Sequence, residues 1–562
     1  MGAAEGEPSV GSNVYFSIGD AIAGLGIFLL IPQYLKPIYV FRLRVLGMGL
    51  RVLYALPALG FAVVLAAAMV PNLPESVPAL IRTPLLWEMI AAFLWAASYG
   101  VLGWVSIVPA HPSPRSIAGY VRAGVNLLAG ASEEDRVEFA GDIVASIKRL
   151  IHIADVDDGP GKADARDAAA FSETFLRILS DPVFCKTLVA RLPWDAARIL
   201  RAFSEAQPKQ QVGRAFVLQI ARQTLVSSES DDPKDQDFHG FTDAPPLLKA
   251  AFGDAFLNRK YLPWEGVVAS DFDVIDIDKM KRVSTAARLT IDEQAAGGFA
   301  VQSYNVARLQ ETLEVIGRRI AVLKRGGADV SQLSGALGQA VKHIVEATRK
   351  YCQAAQETER RALYAEADSI RDFSAIDSVA ELIVSVLETA SHEFTGFDDK
   401  FWRMVREIWD AVFPRFGAQP AGMDPLQQRV AMKLTEKIRE TLEGWYSPLL
   451  RLTLALIGPY AAKGETKERT AFKILRDALY TELKGFPAFY ESDPERAKSF
   501  LPGNVRYDAA ASELIHRYSF GGEDRTNLKT LEIAPVSLAP EAIGLEPSRG
   551  AEPPVAASTR YE

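Results

Sequence analysis

The sequence predicts an all-α protein with three transmembrane helices near its N-terminal end, followed by a large helical region. Two observations lead to this fold class. Three apolar stretches lie within the first 108 of the 562 residues, and no stretch of comparable length follows. In the rest of the chain, apolar residues recur at intervals of three and four, which is the spacing of one face of an α-helix. The chain therefore divides into a membrane part and a larger helical part.

The three apolar stretches are Val14–Leu35, Val52–Val70 and Leu86–Val108, of 22, 19 and 23 residues. Each is long enough to cross a bilayer, because about 20 helical residues span the hydrocarbon core. The first stretch is the weakest, since Asp20 lies about two turns inside it. A buried charge is costly in a membrane, so Asp20 is either a functional group within the bilayer or lies before the helix begins. It is the one candidate for a membrane-embedded polar site.

Basic residues predict the orientation of these spans. The first loop carries Lys36, Arg42, Arg44 and Arg51, whereas the second loop carries only Arg82. Lys and Arg are enriched in cytoplasmic loops. We therefore expect a multi-pass protein of the inner (plasma) membrane, with its N-terminus outside and the large helical part in the cytoplasm. The presence of only two cysteines fits a reducing compartment.

The clearest helix start in the large helical part is Ser132. It is a good N-cap, and three acidic residues follow it in the first turn, where the helix dipole favours negative charge. An alternating pattern over 266–282 predicts a short strand. The predicted segments are a short tail over 1–13, three spans over 14–110, a helical subdomain over 111–228, a loop-rich connection with a possible short strand over 229–300, a helical hairpin over 301–373, a helical subdomain over 374–530 and a disordered tail over 531–562.

A heptad-like pattern predicts the helical hairpin. One apolar seam is followed by a glycine-containing break at 325–330 and a second helix with its own seam. Two roles are open: a structural hairpin inside a larger bundle, or a projecting coiled-coil arm that binds a partner or self-associates. The candidate interaction seam consists of Leu309, Leu313, Ile316, Ile320 and Leu323.

A run of four carboxylates, Asp271, Asp273, Asp276 and Asp278, is a weak candidate for a metal site. Oxygen ligands suit Mg²⁺ or Ca²⁺. The alternative is a solvated edge strand or loop, because basic residues follow closely and the glycine of a calcium loop is absent. A single Glu-x-x-His motif, Glu513 to His516, has the spacing of two ligands on one helix face, yet a di-iron bundle needs two such motifs. We expect neither a metal nor a cofactor.

No motif in the sequence names a reaction, so no catalytic residue is predicted. A net charge of −8 argues against bulk nucleic-acid binding. The leading expectation is a non-enzymatic, membrane-anchored protein that acts as a protein-binding, scaffold or regulatory module, in contact with membrane lipid and with other proteins or a second copy of itself. The first alternative is an oligomeric pore or membrane-disturbing effector gated by the cytoplasmic part. The second is a membrane-tethered enzyme.

Overall fold

Helices account for most of the chain in the computed structural model, as the spacing of its apolar residues predicts. The all-α class is thereby confirmed, with one small sheet near the C-terminal end. The chain divides into two compact units, Met1–Ile383 and Val384–Glu562. The structure describes residues 22–23, 26, 35–46, 50–70, 74, 78, 80–155, 163–227, 244–299, 303–355, 374–393, 400–413, 424–442, 447–457, 470–520 and 523–532.

The helices of the first unit are short to medium in length, and several begin with Pro, which lacks the N–H that a first helical turn leaves unpaired. They are α1 (Pro37–Val45), α2 (Leu50–Met69), α3 (Pro84–Ile107), α4 (Ile117–Gly130), α5 (Glu133–Ala154), α6 (Ala163–Ile178), α7 (Pro182–Arg191), α8 (Pro193–Ala206), α9 (Arg214–Val226), α10 (Pro246–Phe252), α11 (Ala255–Lys260), α12 (Ile277–Gly297), α13 (Tyr304–Arg325), α14 (Ser331–Ala354) and α15 (Ala375–His392), the last of which continues into the second unit.

Helices α2 and α3 pack side by side and form what we call the apolar hairpin. Large apolar side chains on it face outward: Phe93 is 71% exposed and Met69 68%. Of the described helices, only α3 is long and apolar enough to cross a membrane, and 22% of its most apolar stretch is buried.

The prediction of three spans is not confirmed. The second predicted span is helical, as part of α2, and its described apolar segment is Tyr54–Met69, which by itself is shorter than the about 20 residues that cross the hydrocarbon core. The first predicted span lies outside the described residues except for residues 22, 23, 26 and 35. Among the described residues, the structure supports one helix, α3, that is both long and apolar enough to span a membrane.

Helices α4 to α9 form a helical core around aromatic side chains. The capping box at the start of α5 is present as predicted: Ser132 Oγ accepts from the backbone N–H of Asp135, and the Asp135 carboxylate accepts from the backbone N–H of Ser132. The buried face of α5 is apolar and packs against α6, α7 and α8. Phe139 lies at the centre of this packing, edge-on to Phe175.

The strand predicted over 266–282 is wrong. These residues form a 3₁₀ turn at Ala269–Phe272 and the first turns of α12. One of the alternating aspartates is a helix cap: Asp276 Oδ1 accepts from the backbone N–H of Lys279 at 2.7 Å, which fixes the start of α12. The side-chain preference of Asp for helix N-termini therefore outweighs the strand preference of the β-branched residues between them.

The two helices of the predicted hairpin over 301–373 are α13 and α14, joined by a short glycine-containing turn in which Gly327 has φ +83°. They do not lie along each other as a coiled coil would. Helix α14 lies along α12 instead and meets α13 over a short stretch. Gly317 is buried there, and a methyl group at this position would lie 3.7 Å from Leu337 Cδ2. The hairpin is thus part of a bundle, and residues 356–373 lie outside the described range.

The second unit combines helices with an antiparallel sheet of order β1-β2-β3. The interpretation of Glu513 and His516 as residues on one helix face is wrong, because both lie on strand β2, where positions three apart point to opposite faces. The predicted tail beyond 532 lies outside the described residues. The elements are α16 (Lys400–Val412), α17 (Pro425–Thr441), α18 (Pro448–Ile457), α19 (Thr470–Leu483), α20 (Phe486–Ser492), α21 (Pro494–Phe500), β1 (Val505–Asp508), β2 (Glu513–Phe520) and β3 (Glu523–Glu532).

Candidate functional site

Helix α1 lies between the end of α3 and the helical core, and it contacts both. On one side, Leu43 packs against Val105 in an apolar cluster. On the other side, the ring of Phe41 lies edge-on to those of Tyr120 and Phe139, with centroids 5.2 and 5.1 Å away. All five side chains are buried. Helix α1 therefore joins the apolar hairpin to the helical core, and we call this contact region the junction.

The side chain of Arg42 connects three helices at the junction. Its Nε donates to Asp142 Oδ2 at 2.9 Å and its Nη2 donates to Asp142 Oδ1 at 2.8 Å, which is a bidentate ion pair with α5. Its Nη1 donates to the carbonyl oxygens of Val105 at 3.0 Å and Ser106 at 2.8 Å. These carbonyls lie in the last turn of α3, where helical donors run out and the helix dipole favours a cation. Arg42 thus caps α3 and binds α5 at once.

The ion pair is almost fully enclosed: the side chain of Arg42 is 11% exposed and that of Asp142 is 2% exposed. Burial raises the pKa of Asp142, and the hydrogen bonds and charge of Arg42 oppose that rise. A buried ion pair of this kind adds little net stability over a well-packed apolar pair, but removal of one partner is costly. We therefore regard the pair as a device that fixes one specific arrangement of α1, α3 and α5.

Polar contacts also hold the residues that follow α3. Ser146 Oγ on α5 donates to the carbonyl oxygen of Ala110 at 2.9 Å. The hydroxyl of Tyr120 is buried beside Ser146, and burial raises its pKa. Burial and the charge of Arg149 lower the pKa of His111. The chain leaving α3 is thus attached to α5 immediately after the helix ends.

An exposed ion pair lies at the edge of the junction. The ammonium group of Lys36 donates to Glu138 Oε1, and their side chains are 53% and 34% exposed. This pair joins the same two helices, α1 and α5, as the buried pair of Arg42 and Asp142. Exposed ion pairs contribute little to stability, so the buried pair determines the geometry.

The polar groups of the junction hold helices in position and are not set up to react. Both carboxylate oxygens of Asp142 already accept from Arg42, and burial keeps the hydroxyl of Tyr120 protonated. Neither group is therefore disposed to act as a base or nucleophile. The arrangement fixes the end of α3 relative to α5 through charge-assisted hydrogen bonds.

The four predicted carboxylates, Asp271, Asp273, Asp276 and Asp278, are not brought together into one site. Asp271 is buried and forms a bidentate ion pair with Arg222, with distances of 2.6 to 3.1 Å. Asp276 caps α12, and the other two carboxylates are exposed. Within the described ranges, no group of three or more His, Cys, Asp or Glu side chains is placed to hold a metal ion. The run is explained by a salt bridge and a helix cap.

The predicted interaction seam lies inside the first unit. Leu309, Leu313, Ile316 and Ile320 are at most 1% exposed, and Leu323 is half-buried. The apolar seam packs against neighbouring helices, so it is not an open surface for a partner. Asp20, the predicted membrane-embedded polar residue, lies outside the described residues.

The residues of the junction were not singled out from the sequence as a site. One signal is present: Asp142 falls among Phe139, Ile143, Ser146 and Ile147 on the buried face of α5, where a carboxylate requires a partner. The partner itself is 100 residues away, and no spacing rule connects the two. The sequence indicates only that Arg42 is a basic residue of the first loop, which bears on the orientation of the spans.

Compared with protein-family models, curated proteins and solved structures, the chain shows no significant match to any of them. The functional interpretation therefore rests on the contacts within this chain.

Proposed function

We propose that this chain is a membrane-anchored protein whose helical part faces the cytoplasm, binds or scaffolds other proteins, and catalyses no reaction of its own. The observation that carries the proposal is the junction at Arg42. It attaches a helical core directly to the end of a long apolar helix with an exposed apolar surface. A helical core that is held at a fixed place on a membrane requires an attachment of this kind.

The exposed side chains of α3 support an anchor. Met89, Phe93, Trp104 and Ile107 are between 59% and 79% exposed. Large apolar side chains exposed together along one helix favour a surface that contacts lipid or a partner. Lipid is the occupant that also suits the length of α3, since its 24 residues match the thickness of a bilayer.

The junction also supports the proposed orientation. Helix α2 leaves from the end of α1, and α3 returns to α1, so both open ends of the apolar hairpin lie on the same side as the helical core. The residues at these ends, Lys36, Arg42 and Arg44, are basic, and basic ends favour the cytoplasmic side. These two observations together support a helical core on the cytoplasmic side.

Topology reporters test the anchor and its orientation. One reporter, active only in the cytoplasm, and another, active only outside, are each fused to the C-terminus of the full chain. Signal from the cytoplasmic reporter, together with retention in the membrane pellet after alkaline carbonate treatment, is the expected result. Signal from the outside reporter contradicts the orientation, and release by carbonate contradicts the anchor.

Crosslinking in intact cells tests the scaffold function. The full chain is crosslinked, purified from solubilised membranes and read by mass spectrometry. A matched variant replaces the outward-facing residues of α3 before Val101 with Leu, which keeps the junction intact. Proteins that co-purify equally with both forms are bound by the helical part, as we expect. Loss of all of them in the variant would assign binding to the membrane part instead.

A further inference from the structure

Two segments of the chain reach the junction, and both carry basic residues and no carboxylate. Residues 35–51 contain four basic residues and no acidic one. Residues 89–132, which cover most of α3 and all of α4, contain Arg115 and Arg122 and no acidic residue. Two carboxylates of α5, Asp142 and Glu138, pair with Arg42 and Lys36.

Three arginines in this neighbourhood are exposed. Arg44 lies on α1, Arg115 precedes α4, and Arg122 lies on the exposed face of α4. Within the part of the chain that the structure describes, none of the three forms an ion pair or a hydrogen bond through its side chain. Their charge is therefore available to a group outside the chain, unlike that of Arg42.

Arg44 lies close to the last turn of α3. Arg42 binds the carbonyls of the last turn of α3, and Arg44 follows two residues later, a rise of about 3 Å along α1. Trp104 and Ile107 in the same turn of α3 are 59% and 79% exposed. Interfacial aromatic residues favour the headgroup level of a bilayer. Arg44 thus lies close to the end of α3, while Arg115 and Arg122 belong to the segment that follows α3, in which α4 packs against α1.

We propose that Arg44, Arg115 and Arg122 form a basic surface that binds the phosphate headgroups of anionic lipids in the leaflet next to the junction. The inference rests on the proposed anchor, which supplies the bilayer. Guanidinium groups bind phosphate oxygens in a bidentate manner, and each basic residue near an anionic leaflet strengthens binding by about fivefold. Helix α1 is clamped by Arg42 on one side and Phe41 on the other, so Arg44 is presented at a fixed level.

The test measures lipid preference with the full chain. Wild-type protein and the triple variant Arg44→Gln, Arg115→Gln, Arg122→Gln are purified in micelles containing equal amounts of phosphatidylglycerol and phosphatidylcholine. Native mass spectrometry then counts the lipids of each class that remain bound. The matched control removes three exposed arginines elsewhere in the same unit, Arg177, Arg201 and Arg318, by the same substitution.

The wild type and the control are expected to retain phosphatidylglycerol over phosphatidylcholine by at least about tenfold, and the triple variant to lose most of this preference. Equal preference in all three proteins overturns the proposal. A second result also overturns the proposal: inorganic phosphate abolishes the lipid preference of the wild type, but the triple substitution does not change that preference. The basic surface would then have no part in lipid binding.

Carbonate extraction of the same proteins separates this proposal from the proposed anchor. A triple variant that stays in the membrane but loses the lipid preference supports both. A wild type that is extracted by carbonate yet binds phosphatidylglycerol vesicles through the three arginines supports the basic surface and contradicts the anchor. A wild type that stays in the membrane without preference contradicts the basic surface alone.

Discussion

Gly60 on α2 lies against the indole ring of Trp95 on α3, so closely that a methyl group at position 60 would come within 2.8 Å of Trp95 Nε1 and 2.9 Å of Cδ1. Trp95 is 6% exposed although it belongs to a helix whose other large residues mostly face outward. The glycine therefore supplies the space in which the largest inward side chain of α3 packs. Small residues allow membrane helices to approach closely in this way.

This contact predicts that Gly60→Leu destabilises the apolar hairpin by about 1–3 kcal/mol, since overpacking forces the helices apart. Gly100→Leu is the matched control, because a Cβ at Gly100 meets nothing within 4 Å. Thermal unfolding of the full chain in detergent, read by size-exclusion chromatography after heating, measures the difference. Equal melting temperatures for the two variants would show that α2 and α3 do not pack at this position.

Two glycines of α4 predict opposite effects. Gly124→Ala places a methyl group 2.7 Å from Phe175 Cε2, so we expect a loss of about 1–3 kcal/mol. Gly119 is exposed and a Cβ there meets nothing within 4 Å, so Gly119→Ala gains up to about 1 kcal/mol from helix propensity. Denaturant unfolding of both variants measures the sign. A stabilising Gly124→Ala substitution would contradict the packing of α4 on α6.

The two ion pairs between α1 and α5 predict unequal losses. Arg42→Met leaves a buried carboxylate without its partner and is expected to cost about 3–5 kcal/mol. Lys36→Met removes an exposed pair on the same helices and is expected to change stability little. The double variant Arg42→Met, Asp142→Leu should recover much of the loss, because it removes both charges. A double variant as unstable as the single one would show that the bonds of Arg42 to the α3 carbonyls matter more than the ion pair.

The buried seam of α13 gives a test of the hairpin's role. Leu313 is 0% exposed, so Leu313→Ala is expected to cost about 2–5 kcal/mol through the cavity it leaves. Val322 lies on the same helix and is 48% exposed, and Val322→Ala should cost far less. Urea unfolding compares the two. If Leu313→Ala left stability unchanged while it abolished binding of a partner, the seam would be an interaction surface after all.

His111 predicts a pH dependence of stability. Its pKa is lowered from 6.5 by burial and by Arg149, and Asp142 opposes this shift. Between the lowered value and 6.5, the unfolded chain binds more protons than the folded one, so the stability that His111 contributes is present above pH 6.5 and is lost as the pH falls below it. The melting temperature should therefore fall less steeply on acidification in His111→Gln than in the wild type. His152→Gln, which changes an exposed histidine on α5, is the control and should retain the wild-type slope.

Helix boundaries were predictable where a side chain satisfies the first turn. Ser132 forms the predicted capping box, and Ser447 similarly accepts from the backbone N–H of Leu450 before Pro448 begins α18. At the start of α14, Asp329 accepts from the backbone N–H of Ser331, which is itself the first helical residue. Such caps are local, so the residues that form them are close in sequence and recognisable.

Local alternation was a poor guide where aspartates act as caps. In 266–282 the period of two arises from Asp residues placed for helix starts and a salt bridge rather than from a strand. Around 513, in contrast, the strand was missed because alanines precede it and favour a helix in isolation. The pairing of β2 with β1 and β3 decides its conformation, and pairing partners are not specified by local propensity.

The candidate site was beyond sequence reasoning for a geometric reason. The bond between Arg42 and Asp142 closes a loop of 100 residues that contains the whole apolar hairpin. Composition shows that Arg42 is a basic loop residue and that Asp142 interrupts an apolar face, but only the packing of α1 between α3 and α5 brings them together.

The clamp at Arg42 has a mechanical consequence for an anchored chain. A helix longer than the local bilayer tilts to keep its apolar residues covered, and a change in bilayer thickness changes that tilt. Since one guanidinium holds both the last turn of α3 and the middle of α5, the two helices turn together instead of hinging at residues 108–116. The helical core would then change its inclination whenever the thickness of the bilayer around α3 changes.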